Sequence, residues 1–241
     1  AGLKSLAKET AIYGLSSIVG RFLNYLLVPV YTTALSAQSG GYGIVTNIYA
    51  WVALVLVILT CGMETGFFRF ANKEGENPQK VYSTTLLGVG SFSLTFLLIG
   101  LLCLQPIAGW LEYGEHPWYV GMMMIVVAMD AIQCIPFAYL RYQKRPLRFA
   151  ALKLLFIVLN ISLNLIYYVA MEGKEVGCAF LINLICTSVV MLCLLPELRP
   201  CRYGLDRALL RRMLSYSFPL LLLGIAGILN QVADKIIFPF V

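Results

Sequence analysis

Long apolar runs broken by short polar connections set the pattern of this chain. Seven runs read as spans: Thr10–Leu35, Tyr42–Phe70, Val81–Leu104, Trp118–Leu140, Phe149–Met171, Val176–Leu195 and Leu214–Val241. Each offers the roughly 20 residues that a helix needs to cross a bilayer. Most connections are short, as antiparallel neighbours in a bundle require. The sixth, residues 196–213, is longer and sets Leu205, Leu209, Leu210 and Met213 among Arg207, Arg211 and Arg212. That spacing predicts a cytoplasmic amphipathic helix on the membrane surface. The expected fold is all-α, a polytopic transmembrane helical bundle. A six-helix lobe occupies residues 1–195, a linker 196–213, and a seventh helix, 214–241, begins a second lobe.

Composition agrees, with 60% hydrophobic and only 12% charged residues, against about 25% charged in soluble domains. A net charge of +6 would suit nucleic acid, but its distribution gives another explanation. Lys4, Lys8, Arg69, Lys73, Lys80, Arg141, Lys144, Arg145, Arg148, Lys153, Arg199, Arg202, Arg207, Arg211 and Arg212 fall on one side of the spans, and Lys174 alone on the other. Basic residues collect on the cytoplasmic side, so the N-terminus is expected in the cytoplasm. The charge then serves anionic headgroups, and no nucleic-acid partner is implied. Ala1-Gly2 reads as a start that has lost its initiator Met, and the first span is too long for a cleavable signal. The seven cysteines are scattered, without C-x-x-C spacing, and read as small packing residues.

Polar residues inside the runs are the candidate chemistry. On the first span Thr10, Tyr13, Ser17, Arg21, Asn24 and Tyr31 fall within an arc of about 80°. A charge at bilayer depth costs at least about 2.5–3.5 kcal/mol on insertion scales, so Arg21 is expected to face a wet cavity or an acid. Its planar fork of donors suits phosphate. The alternative is an ion pair with Glu64 or Asp130 that only fixes packing. Glu64 either pairs with Arg69 or lines a cavity and carries protons. Asp130 lies mid-span, with Pro136 six residues on and able to kink the helix. Asn160 and Asn164, one turn apart, either join helices or face water. In the last span Asn230 lies deep, while Lys235, beside Asp234, either snorkels outward or answers a charge elsewhere. Tyr13, Ser17, Arg21, Asn24 and Asn230 are thus the candidate cavity residues. Glu64, Asp130, Asp234 and Lys235 are the candidates for charge balance or ion coupling.

The H-E-x-x-H, G-x-S-x-G and G-x-x-x-x-G-K-[ST] signatures are missing, which argues against an enzyme and against direct ATP drive. No cofactor or metal is expected beyond a coupling H⁺ or Na⁺. Spans one and seven open alike: a basic lead-in, a Tyr, a deep Asn, and a Pro before an aromatic. A six-helix repeat would give that echo.

Several stretches carry a family likeness. LAKETAIYGLSSIVGRFLNYLLVPVYTTAL, GGYGIVTNIYAW, GMETGFFRFANKE, IPFAYLRYQKRPLRFA and LNISLNLIYYVAMEGKEVGCAF follow in order along the chain. Together they resemble the bacterial polysaccharide biosynthesis exporters, the oligosaccharide-lipid flippases of the multidrug/oligosaccharidyl-lipid/polysaccharide exporter superfamily. The resemblance implies two six-helix lobes around a cavity that opens alternately to each side of the bacterial cytoplasmic membrane. The implied cargo is an undecaprenyl-pyrophosphate-linked oligosaccharide, flipped outward for surface polysaccharide such as the O-antigen of lipopolysaccharide. Arg21 sits where a cationic residue on helix one would meet the pyrophosphate. Implied partners are the lipid-linked oligosaccharide, membrane lipids, a C-terminal lobe or second copy, and polysaccharide polymerase and glycosyltransferases. The chain stops as a second lobe would begin, so a fragment of a longer protein or a half-transporter that pairs is expected. Two other readings stay open: cation-coupled multidrug efflux by the same fold, and a non-transporting module that assembles glycan enzymes.

Overall fold

The computed structural model describes residues 27–35, 40–199 and 203–237, with side chains as far as Ala233. Every regular element among them is helical. In chain order these are α1 (Leu27–Ala34), α2 (Gly41–Thr60), α3 (Met63–Ala71), α4 (Pro78–Leu102), α5 (Leu104–Trp110), α6 (Pro117–Tyr142) and α7 (Pro146–Leu165). A π-helical turn over Ile166–Ala170 closes α7, and α8 (Gly177–Cys193), α9 (Leu195–Leu198) and α10 (Arg207–Ile237) follow.

Among the described residues five stretches are long and apolar enough to cross a membrane: Gly41–Ala71, Pro78–Leu102, Pro117–Tyr142, Pro146–Ala170 and Arg207–Ala233. The predicted sixth span is the shorter apolar helix Gly177–Cys193. Of the predicted first span, only the end from Leu27 is described. α6 runs on through Pro136.

Two elements differ from the sequence-based expectation. The second span is two helices, α2 and α3, divided at Cys61 and Gly62. The amphipathic stretch before the last span is no separate helix, because its residues from Arg207 onward form the first turns of α10. Asp206 starts that helix, its carboxylate accepting from the backbone N–H groups of Ala208 (2.9 Å) and Leu209 (3.0 Å). Leu209 and Met213 are fully buried. Their burial draws the amphipathic face onto the bundle instead of the membrane surface, and nothing breaks the helix before the apolar run begins.

The helices form two compact units. One takes residues up to Val45 together with Leu140–Cys193. In it the Tyr31 hydroxyl donates to Asn164 Oδ1 at 2.8 Å, and Asn164 Nδ2 donates to the Asn160 carbonyl at 2.7 Å. The Tyr31 and Tyr168 rings meet edge-on at 5.5 Å. Asn164 is completely buried. The asparagine pair therefore ties α7 to α1 through the side-chain hydrogen bonds that join helices in an apolar bundle.

The other unit takes Thr46–Tyr139 and the chain from Leu194. At its basic end Tyr82, on the first turns of α4, is completely buried. It stacks on Tyr139 of α6 (4.1 Å, 25°) and packs edge-on against Phe67 of α3 (6.1 Å). Its hydroxyl donates to the Glu197 carbonyl of α9 at 2.6 Å. Nearby, Ser83 Oγ donates to the Gly204 carbonyl (3.1 Å), Lys80 Nζ meets Asp206 Oδ2 (2.6 Å) and Arg212 meets Glu76 (2.8 Å). These bonds clasp the segment before α10 to the start of α4.

The Lys80 ammonium and the capped N–H groups hold the Asp206 carboxyl below its usual 3.8, at about 2. A depressed carboxyl stabilises the fold in full above its ordinary value and loses that contribution as pH falls toward the folded value. The clasp is therefore expected to hold down to about pH 4 and to loosen between about pH 4 and 2. Hydrogen exchange of residues 203–213 against pH reads this, and Asp206→Asn should show the loosened pattern at neutral pH.

Candidate functional site

The break in the second span positions the site. Cys61 (φ 48°) and Gly62 (φ 64°) both take left-handed backbone, a conformation that is rare for a residue with a side chain. Backbone groups inside a bilayer must be satisfied internally, and four local bonds do part of this. Cys61 N–H reaches the Val57 carbonyl (3.2 Å), Cys61 Sγ the Ile58 carbonyl (2.9 Å), Thr60 Oγ1 the Leu56 carbonyl (2.9 Å), and Gly66 N–H the Gly62 carbonyl (3.1 Å). α10 crosses close to the break. A Cβ on Gly62 would lie 3.1 Å from Leu220 Cβ and 3.2 Å from the Ser217 carbonyl. One on Gly66 would lie 2.6 Å from Ser217 Oγ. Gly62, with its left-handed backbone and a backbone obstacle, requires glycine, while a side chain at Gly66 would have to turn the Ser217 hydroxyl aside.

Glu64 sits in the first turn of α3, where the exposed N–H groups and the helix dipole favour a negative charge. That is the physical reason a carboxylate is tolerated at this depth. It is half-buried and accepts the Cys134 thiol of α6 at 3.3 Å. Asp130 lies one turn before Cys134 on α6, about 6 Å along the axis, and is also half-buried. The structure therefore sets Glu64 against the stretch of α6 that carries Asp130. Arg69, at the far end of α3, places its guanidinium carbon over the Tyr216 ring of α10, 4.0 Å from its centroid. Its partner is thus an aromatic face, a cation–π contact, and not the Glu64 carboxylate that one of the alternative readings offered. The break thus sets one half-buried carboxylate against the helix that carries a second.

The remaining candidates fall elsewhere. Tyr13, Ser17, Arg21 and Asn24 lie outside the described residues, as do the side chains of Asp234 and Lys235. Asn230 is exposed on α10, away from the buried stripe of Leu209, Met213 and Ser217. Among the described residues no group of three or more His, Cys, Asp or Glu gathers as a metal site. Neither Cys134 as a donor to Glu64 nor the Gly62–Ser217 approach is visible in the hydropathy pattern. The Gly on either side of M-E-T was the one local signal for the second.

A bundle of apolar, membrane-length helices with a broken span and acids at depth defines the class: a multi-pass α-helical membrane protein. Comparison with known families then gives a match to "Polysaccharide biosynthesis protein" over residues 35–239. The chain belongs to that family and takes part in polysaccharide biosynthesis. No curated protein and no solved structure matches it.

Proposed function

We propose that the chain is one lobe of a flippase, not an enzyme. It moves undecaprenyl-pyrophosphate-linked oligosaccharide repeat units across the bacterial cytoplasmic membrane by alternating access. Family membership supports the polysaccharide role. The observation that carries the transport reading is the second span broken beside Glu64, since interrupted helices at membrane depth are the usual build of transporter ion and substrate sites. In this reading Arg21 meets the pyrophosphate, and Tyr13, Ser17, Asn24 and Asn230 meet sugar or water. Glu64, Asp130, Asp234 and Lys235 balance charge or couple H⁺ or Na⁺. The basic loops and the N-terminus lie in the cytoplasm. A second lobe, or a second copy, covers the exposed face of α10 around Phe218, Leu222 and Leu223, and polymerase and glycosyltransferases act beside it.

Arg21→Ala tests this in a strain that depends on the protein for surface glycan. Charge-assisted hydrogen bonds are worth about 1.5–3 kcal/mol, so export is expected to fall about tenfold or more, with Arg21→Lys retaining part of it. Unchanged export at normal protein levels would remove Arg21 from the role. The half-buried acids Glu64 and Asp130 favour one second reading, efflux of cationic drugs. Dye accumulation that rises on loss of the protein, with glycan export intact, would select it.

A further inference from the structure

At the other end of the second unit, α2, α4, α5 and α6 enclose a cavity of about 240 Å³. Trp51, Val55, Phe96, Trp110, Met123 and Val127 are among its walls, and every residue lining it is apolar or tryptophan. Trp51 and Trp110 meet edge-on at 5.6 Å. Met123 and Val127 form a buried wall, while Trp51, Val55 and Phe96 are partly exposed and Trp110 is 64% exposed. The space is thus open along one side. On α6 its lining runs from Val120 to Val127, about 10 Å along the axis, or roughly a third of the hydrocarbon thickness. An apolar cavity of such size excludes water and takes an apolar guest. In a bilayer the abundant guest is a lipid chain.

The rim says which lipid. Leu111 lines the cavity, and the exposed Glu112 and Glu115 follow it. Between Lys80 and Arg141 the chain carries no Lys or Arg, so these helices offer neither to a phosphate-only or pyrophosphate head. A head bearing a primary ammonium finds two carboxylates to accept its N–H bonds, which a choline head cannot donate. Beside them the Tyr113 hydroxyl donates to Asn47 Oδ1 at 2.8 Å. Burial, then the Glu112 charge, pushes that phenol up to about 12, so it stays a neutral donor and Asn47 keeps it in place.

We propose that this cavity holds one acyl chain of an ethanolamine-headed phospholipid, whose ammonium lies at Glu112 and Glu115. This assignment stands apart from the transport reading, since it needs neither Arg21 nor a cargo.

Bromine quenching of Trp51 tests it. The full chain carrying Trp110→Phe and Trp118→Phe is placed in phosphatidylcholine nanodiscs. These are doped with phosphatidylethanolamine or phosphatidylglycerol brominated in mid-chain. Quenching by the ethanolamine lipid is expected to saturate at a mole fraction about threefold below that for the glycerol lipid, the size of effect exposed charge pairs give. Glu112→Gln with Glu115→Gln should erase the difference. Val127→Phe, or Val55→Phe if the first fails to fold, should erase saturation. Equal, non-saturating quenching by both lipids, unchanged by filling, would reduce the cavity to ordinary boundary lipid and overturn the proposal. Stronger quenching by a brominated polyprenyl phosphate would overturn it in favour of a carrier tail.

Discussion

Gly62→Val is expected to destabilise the protein by about 3–4 kcal/mol. Two terms add. A left-handed backbone costs an L-residue roughly 1–2 kcal/mol, and a β-branched side chain stands at the upper end of that range. The new Cβ would also press on Leu220 Cβ at 3.1 Å and the Ser217 carbonyl at 3.2 Å. The second of these is backbone and cannot rotate away, and overpacking of this kind costs about 1–3 kcal/mol. Thermal unfolding in detergent, or the steady-state level in membranes, would show it. Gly66→Ala should cost less despite its 2.6 Å approach, because the obstacle is the Ser217 hydroxyl, a side chain that can turn. Gly90→Ala, with nothing within 4 Å of the added carbon, should cost nothing. Equal stability of Gly62→Val and Gly90→Ala would mean that the close crossing of α3 and α10 does not hold in the membrane.

The second large effect is at Tyr82. Tyr82→Ala should cost about 3–5 kcal/mol, the range for emptying a buried aromatic site. The ring stacks on Tyr139 at 4.1 Å and touches Phe67, so truncation opens a space between α3, α4 and α6. Tyr82→Phe keeps the ring and removes only the hydroxyl, which leaves the Glu197 carbonyl without that donor. It should cost about 1–2 kcal/mol. Denaturant unfolding separates the two variants, and limited proteolysis between α9 and α10 shows whether the clasp has opened. If Tyr82→Phe costs as much as Tyr82→Ala, the hydroxyl and not the stack holds α4 in place.

The spans were legible because lipid selects for composition directly: a helix facing hydrocarbon must be apolar over about 20 residues. α4, α6 and α7 follow from that rule alone. Gly62 was different. Its φ depends on how α10 crosses, and Ser217 is far away in the chain, so the break in the second span was not readable from its uninterrupted hydropathy. The linker misled for a related reason. Leu209 and Met213 mark an apolar face equally well for a membrane surface or for burial against α4, and only the partner decides. Of the site, Glu64 and Asp130 stood out as acids in apolar runs. Cys134 as the donor to Glu64 did not, because the two are 70 residues apart. Asn164 was readable as polar and deep, but its bond to Tyr31 depends on tertiary packing across 133 residues.

The clasp at the start of α10 makes that helix a lever. It has 31 residues and continues through Pro219, about 46 Å of rod at 1.5 Å per residue. Its base is fixed to α4 through Asp206, Lys80 and the buried Leu209. A tilt of α4 by about 5° at that base would swing the far end of such a rod by about 4 Å. Because α10 crosses so close to Gly62 and Gly66, such a swing would have to carry α3 with it.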